Sequence, residues 1–408
     1  MQPAILNFSP STRTSSPPVE GHVSRGFESV RDVFAENFTR RHELGGACSV
    51  YYRGEKVVDL WGGVRNKATG EPWQANTMVI IYSATKGLAA MAMAVAHSRG
   101  WLDYEARVAS YWPEFAQNGK DQITVRQLLA HQAGLFALDE RIPRAVVADP
   151  DRLAAVLARQ TPAWEPGSRQ AYHAITLGYY ESELIRRVDP QHRTLGRFFQ
   201  DEIAAPLGLD LYIRLPQTIP NSRFATMAPL TFMQWVTGFD LRFLIEVMNK
   251  KSKIVRALQG SELPLDELQV YARDFEVPSG GGVGTARSIA QAYSVFANDG
   301  HELNLRKQTL DLLAAPALPP RHGFYDECIK SEARFSLGFM KPCAGIPFGS
   351  PASFGSPGAG GAMGFADPTF KVGYGYVTSQ GGTTLSGDPR DVALRNEVYR
   401  VIDNMPPR

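Results

Sequence analysis

Ser83-Ala84-Thr85-Lys86 is the stretch of sequence that decides the fold, and a short apolar run, Met78–Tyr82, leads directly into it. The apolar run predicts a strand. The Ala- and Met-rich segment that follows Lys86 predicts a buried helix ending at Gly100, because glycine is favoured just after a helix C-terminus. Residues three apart at the start of a helix share a face, so the Ser83 hydroxyl and the Lys86 amine are expected to converge.

The pairing of Ser83 with Lys86 suggests an activated nucleophile. A serine hydroxyl reacts poorly unless a base takes its proton. A lysine serves as that base only as the uncharged amine, and burial in an apolar helix disfavours its charged form. The same residues also fit a helix that begins with a capping serine and carries a solvated lysine. The motif alone therefore leaves both interpretations open.

Two further motifs follow in order along the chain: ITVRQLLAHQAGL at residues 123–135, and PGSRQAYHA at residues 166–174, with Gly178 after it. Together with Ser83 and Lys86, they resemble the serine β-lactamase and penicillin-binding-protein superfamily. The resemblance is strongest to the class C β-lactamase-related branch, which includes the family VIII carboxylesterases. It extends over roughly residues 25 to 400, nearly the whole chain.

The resemblance implies a catalytic role for each of three residues. Ser83 is implied as the nucleophile, Lys86 as its partner and Tyr172 as a second general base or acid. A tyrosine beside a cationic group is suited to take up a proton and return it to a leaving group. The structural alternative for Tyr172 is a core tyrosine whose hydroxyl is hydrogen-bonded.

The chain departs from the family pattern just after Tyr172. Ala174 stands where the family has asparagine, whose amide contacts the substrate amide and the lysine in β-lactamases. The absence of this asparagine amide argues against recognition of a lactam. His173, between the two, is a candidate for substrate binding or a residue that points away from the site as a cap or on the surface.

The third family motif is a strand near the C-terminus, and residues 354–361, FGSPGAGG, match it. Small residues let an acyl substrate lie against this strand, where a backbone N–H of Ala359 is expected to complete an oxyanion hole with that of Ser83. A Gly-rich loop that only supplies turns is the alternative. The motif predicts three substrate-binding residues, Ser356, Pro357 and Gly358, with Ser356 where His or Lys usually stands.

Three other features have a structural interpretation beside a functional one. The segment Glu276–Ala286 resembles a family loop near the active site. It has either a structural role or a role in lining the substrate cleft, and its sequence does not match a phosphate-binding loop. Met227–Met248 is rich in large apolar residues, which predicts core or a lid beside the acyl pocket. His131, among leucines, is typical of a structural histidine.

Composition narrows the function classes. The 408 residues carry 43 Lys and Arg against 41 Asp and Glu, and a net charge of +2 does not favour nucleic acid or an anionic membrane as partner. Three cysteines, Cys48, Cys328 and Cys343, are too few for a disulfide framework and fit no zinc spacing. The N-terminus lacks a signal-peptide pattern. We expect a cytoplasmic protein with no cofactor and no metal, of undetermined oligomeric state.

Strand patterns lie at both ends of the chain and helical patterns fill the middle. They predict an α/β (α+β) fold in which both chain ends build an antiparallel sheet flanked by helices, with a mostly helical domain inserted. The predicted units are a flexible arm at 1–20, a sheet domain at 21–105 plus 275–408, and a helical domain at 106–274. The active site is expected in the cleft between the two domains.

The predicted function is hydrolysis of a small-molecule carboxylic ester through an acyl-enzyme on Ser83. A β-lactamase, a D-amino-acid peptidase or amidase, and an acyl transferase use the same nucleophile and remain alternatives. A non-catalytic protein that keeps the fold is a further one, against which the intact Ser83, Lys86 and Tyr172 argue. No G-x-S-x-G motif is present, which argues against an α/β-hydrolase.

Overall fold

The structure is a computed structural model and describes residues 18–230, 241–266, 271, 273–382, 384 and 387–405. Its strands are β1 (Val19–Val23), β2 (Gly45–Tyr52), β3 (Glu55–Gly63), β4 (Val79–Ile80), β5 (Leu211–Tyr212), β6 (Val283–Gly284), β7 (Arg334–Ser336), β8 (Phe339–Lys341), β9 (Phe354–Pro357), β10 (Met363–Asp367) and β11 (Val372–Thr378).

Its α-helices are α1 (Glu28–Arg40), α2 (Thr85–Ser98), α3 (Val108–Tyr111), α4 (Val125–Leu129), α5 (Arg144–Val147), α6 (Pro150–Arg159), α7 (Thr176–Val188), α8 (Leu195–Phe199), α9 (Leu241–Met248), α10 (Lys253–Gln259), α11 (Ala286–Ala297), α12 (Lys307–Ala314) and α13 (Pro389–Asp403). Short 3₁₀ turns lie between some of these elements: Tyr82–Ala84 connects β4 to α2, and Ala359–Gly361 lies between β9 and β10.

One antiparallel sheet of eight strands joins the two ends of the chain, in the order β1-β3-β2-β11-β10-β9-β8-β7. β2 and β3 form a hairpin and pair across a tight turn. β11 pairs with β2, so the last strand of the chain lies beside the first hairpin. The predicted sheet built from both chain ends is therefore confirmed. A small second sheet holds β4, β6 and β5.

The helix that carries Lys86 lies inside the molecule. All its residues except His97 are buried, from Thr85 to Ser98. A helix that is apolar on every side has to be covered on every side, and the sheet and the neighbouring helices cover α2. Gly100 follows with a φ of +77°, as the predicted helix end requires. The rigid position of α2 fixes the residues at its N-terminus.

The closing helix α13 begins with a capping residue and a proline. Asp388 caps it, because its carboxylate accepts a hydrogen bond of 3.0 Å from the backbone N–H of Arg390. Pro389 occupies the first turn, where its missing N–H costs nothing. The three cysteines are buried free thiols, as predicted. None of the helices in the described ranges combines the length and the hydropathy that crossing a bilayer requires.

The division of the chain into two domains stays a prediction. β1 begins at Val19, within the stretch that the sequence assigned to a flexible arm, and residues 1–17 lie outside the described residues. The apolar segment predicted as core or lid falls partly outside them too, over residues 231–240. Helices α3 to α10 lie between the N-terminal and C-terminal groups of strands of the large sheet.

Candidate active site

Ser83 lies in the 3₁₀ turn Tyr82–Ala84, directly before α2, and its side chain is half-buried. Thr85 anchors this turn, because its hydroxyl donates to the carbonyl of Tyr82 and accepts a hydrogen bond of 2.8 Å from the backbone N–H of Gly282. The backbone N–H of Ile81 donates to the carbonyl of Gly282 at 2.9 Å. The Gly-rich segment 276–286 thus packs against the turn that carries Ser83, and none of its residues is among those that line the cleft.

Lys86 is 2% exposed, and its amine is held by two backbone carbonyls. Its Nζ donates to the carbonyl of Ala174 at 2.6 Å and to that of Ser279 at 2.9 Å. An uncharged amine has two N–H bonds, so these carbonyls satisfy both of them. The lone pair of the amine is then left to accept a proton. The two carbonyls therefore fix the direction of the Lys86 amine.

Tyr172 lies beside Lys86, with its ring centroid 4.7 Å from Nζ. The ring stacks on Phe335 at 5.8 Å between centroids and packs against His131 at 5.1 Å. The backbone N–H of Tyr172 donates to Oδ1 of Asp326 at 3.2 Å. Packing on the ring and a hydrogen bond to the main chain therefore fix the phenol next to the lysine.

Asp326 is a positioning residue that the sequence does not reveal. Its Oδ1 also accepts hydrogen bonds from the backbone N–H groups of Cys328, at 2.8 Å, and Ile329, at 2.9 Å. Burial raises the pKa of this carboxyl, and the backbone hydrogen bonds oppose the rise. An aspartate that accepts hydrogen bonds from the backbone two and three residues later is common in turns, so the sequence around Asp326 indicates only a turn. The contact with Tyr172, far away in sequence, has no local signal at all.

The two histidines of the family motifs belong to the scaffold. Nδ1 of His131 accepts a hydrogen bond of 2.9 Å from the backbone N–H of His173. Nε2 of His173 accepts one of 3.2 Å from the backbone N–H of Leu135, and its Nδ1 lies 2.6 Å from the carbonyl of Ala171. Burial lowers the pKa of His131 well below its ordinary value and that of His173 to about 4, so both stay uncharged near neutral pH.

The substrate-binding prediction for His173 has to be corrected. Its side chain is fully buried and is absent from the lining of the cleft, so it is neither a substrate contact nor a surface residue. The motif places His173 next to Tyr172 in sequence, but the chain turns its ring inward to hold the segment around Leu135. His131, by contrast, does line the cleft.

β9 and the turn after it form the third side of the site. The hydroxyl of Ser356 donates to the carbonyl of Ser83 at 2.7 Å, so it ties the strand to the turn that bears the serine. A Cβ at Gly358 would lie 2.1 Å from the carbonyl oxygen of Ile81, so only glycine permits this approach. Ser356, Pro357 and Ala359 line the cleft, whereas Gly358 packs against Ile81 and is not in the cleft lining.

The cleft has a volume of about 880 Å³, including the part open to solvent. Lys86 is the one Lys, Arg, Asp or Glu among the described residues that line it, and its amine already contacts two carbonyls. A pocket of this size and polarity suits a small molecule with uncharged, apolar groups. The wall opposite the polar groups is apolar: Ile254, Leu258, Ile329, Phe335, Met340 and Ile346.

The predicted site residues thus come together in large part. Ser83, Lys86 and Tyr172 line one cleft with Ser356, Pro357 and Ala359, while His173 and Gly358 lie behind it. The sequence did not identify the carbonyl of Ala174, the carbonyl of Ser279 or the carboxyl of Asp326. Ser279 falls inside the Gly-rich segment, for which cleft lining was one of two interpretations.

Comparison with known proteins gives the same picture. The Beta-lactamase family model matches residues 30–398. The chain is 32% identical over 382 residues to the esterase/beta-lactamase LipL of Mycobacterium tuberculosis. The alignment covers 88% of this chain and 82% of LipL.

Two solved structures are similar over nearly the whole chain. A family VIII carboxylesterase superposes with a TM-score of 0.81 at 34% identity, over 94% of this chain and 100% of that chain. A penicillin-binding protein homologue from Caulobacter crescentus superposes with a TM-score of 0.81 at 32% identity, over the same shares.

The chain therefore belongs to the Beta-lactamase family, as the three sequence motifs indicated. Within that family it is an enzyme of the carboxylesterase type, with the β-lactamase fold. The predicted fold class is confirmed by the same similarities and by the large antiparallel sheet with its flanking helices.

Proposed function

We propose that the protein hydrolyses small carboxylic esters through an acyl-enzyme on Ser83, with Lys86 and Tyr172 as the groups that move protons. The observation that carries the proposal is the buried amine of Lys86, held by two carbonyls in the cleft that also contains Ser83 and Tyr172. The esterase names of LipL and of the family VIII structure support the same reaction class.

In the first half of the reaction, Oγ of Ser83 attacks the ester carbonyl carbon while the amine of Lys86 takes its proton. The carbonyl oxygen becomes an oxyanion, and the backbone N–H groups of Ser83 and Ala359 are the donors proposed to stabilise it. The proton passes from Lys86 through Tyr172 to the departing alkoxide. The C–O bond to the alcohol breaks and an ester between the acyl group and Ser83 forms.

In the second half, water replaces the alcohol. Tyr172 and Lys86 take a proton from the water as its oxygen attacks the acyl carbon, and the same backbone groups hold the oxyanion. The proton returns to Oγ of Ser83 as the acyl bond breaks. The carboxylic acid leaves and the free enzyme is restored, so neither a cofactor nor a metal is part of the proposed mechanism.

Esters are favoured over lactams because of what the cleft lacks among its described residues. Ala174 has no amide for a substrate amide, and Lys86 is already engaged, so a lactam carboxylate finds no free cation in this lining. A charged hydrogen bond contributes about 1.5–3 kcal/mol. One missing contact weakens recognition by roughly 10- to 150-fold. An uncharged ester does not incur this loss.

A substrate panel tests the proposal: p-nitrophenyl esters of short and medium acyl chains beside a chromogenic cephalosporin, with wild type and Ser83→Ala measured in parallel. We expect ready hydrolysis of p-nitrophenyl butyrate by wild type, little opening of the cephalosporin lactam, and neither reaction with Ser83→Ala. A kcat/KM for the cephalosporin that equals or exceeds that for the best ester would instead establish a lactamase.

A further inference from the structure

A buried carboxyl lies behind the catalytic lysine, and no sequence motif marks it. Glu181, in the middle of α7, is fully buried. Neither of its carboxyl oxygens has a hydrogen-bond partner among the described residues. A buried polar group without partners costs free energy, and a buried charge without partners costs more. A position of this kind calls for an explanation in the chemistry around it.

The position of Glu181 connects it to the cleft and to Lys86. A Cβ at Gly338 would lie 3.0 Å from Oε1 of Glu181 and 2.7 Å from Cβ of Ala90. Gly338, in the turn between β7 and β8, lines the cleft. Ala90 follows Lys86 by one turn of α2, on the same face. The carboxyl therefore lies directly behind Gly338, against the helix α2 that carries Lys86.

Charge couples the two residues. Burial raises the pKa of Glu181 well above its ordinary value, and the nearby Lys86 opposes the rise. By reciprocity, an ionised Glu181 favours the ammonium form of Lys86, which cannot accept the proton of Ser83. A neutral Glu181 leaves the free amine accessible.

We propose that Glu181 is a positioning residue that sets the pH range in which Lys86 is the free amine. The inference rests on the proposed function, since it concerns the base of that reaction. Glu181 does not touch the substrate; it acts on the proton that Lys86 holds. Burial shifts the ionisation of its carboxyl to higher pH, and once that carboxyl is ionised its negative charge holds the proton on Lys86.

The other titratable groups that face this pair are Tyr104, His131, Tyr172 and His173. Burial raises the pKa of Tyr104 far above its ordinary value and lowers the pKa values of both histidines. These three groups therefore stay uncharged near neutral pH. Glu181 is therefore the suitable residue to change. A substitution of the same shape removes its charge, and its side chain does not contact the substrate.

Glu181→Gln tests the inference because it keeps the shape of the side chain and cannot ionise. We expect the rising limb of kcat/KM for p-nitrophenyl butyrate to move to lower pH by about one pH unit, the lower end of what one nearby charge does. Glu183→Gln is the matched control. That carboxyl lies on the same helix but pairs with Arg186 and Arg187, so the wild-type profile is expected.

The pH dependence of fluorophosphonate labelling of Ser83 is measured beside the ester assay, because it reports the nucleophile without ester turnover. The same downward displacement is expected in both. Superimposable profiles for wild type and Glu181→Gln would overturn the inference, while absence of Ser83-dependent ester turnover in wild type would overturn the proposed function instead. Glu181→Leu replaces the glutamine variant if that variant does not fold, with the same displacement expected.

Discussion

The floor of the cleft and its apolar wall are built from different kinds of contact. The floor is held by hydrogen bonds to the main chain, from Lys86 to the carbonyls of Ala174 and Ser279 and from Ser356 to the carbonyl of Ser83. The wall consists of apolar side chains drawn from α10, β7, β8 and the loops between them. We expect the residues of the floor to determine the reaction and those of the wall to determine which substrates are preferred.

This difference explains why the two regions respond differently to substitution. The polar groups of the floor are those that the proposed mechanism uses to move protons and hold the reacting groups. Removing one of them is therefore expected to slow the reaction itself. An apolar side chain of the wall contributes buried area, which is graded and non-directional. Floor variants are expected to lower the rate for every substrate, and wall variants to change the preference among substrates.

Tyr172→Phe is the sharpest variant of the floor. It removes the hydroxyl but keeps the ring that packs on Phe335 and His131. We expect kcat/KM for all p-nitrophenyl esters to fall by about 10²–10⁴-fold, the usual contribution of general acid–base catalysis. Tyr180→Phe is the matched control, because the hydroxyl of Tyr180 is buried, has no hydrogen-bond partner among the described residues and lies outside the cleft lining. Wild-type activity in Tyr172→Phe would exclude Tyr172 as the proton carrier.

Leu258→Ala tests the wall and is expected to have a smaller effect. Leu258 lines the cleft from α10 and is 50% exposed, so its truncation forfeits only part of a leucine's burial, about 1 kcal/mol. We expect kcat/KM to fall about fivefold for a p-nitrophenyl octanoate and little for the acetate. Gln259→Ala, its exposed neighbour, provides the control. An equal loss on both esters would place Leu258 outside the path of the substrate.

The parts of the fold that follow from the sequence are those with local causes. The β2–β3 hairpin follows from two short apolar runs around a turn that contains Gly54. The helix α2 follows from its apolar segment and Gly100, and α13 from the Asp388 cap. Ser83 and Lys86 reach the same cleft for a local reason too, because residues three apart at a helix start share a face. Their approach to Tyr172 came from the family resemblance and not from any pattern in the sequence alone.

The parts that the sequence could not reveal depend on main-chain atoms and on distant contacts. A backbone carbonyl is present at every residue, so nothing in the sequence marks those of Ala174 and Ser279 as the partners of Lys86. His173 has the chemistry of a substrate ligand, and only the direction of its ring shows that it supports Leu135 instead. Glu181 resembles any other helical glutamate until its burial is known.

The central claim is that Ser83 is the nucleophile, and labelling with a fluorophosphonate followed by peptide mapping tests it most directly. The account predicts that wild type carries one label on the peptide that contains Ser83. It also predicts that Ser83→Ala folds normally and takes up no label, because loss of a half-buried hydroxyl disturbs little packing. A label on another residue of wild type, or labelling of Ser83→Ala at the wild-type rate, would contradict the account.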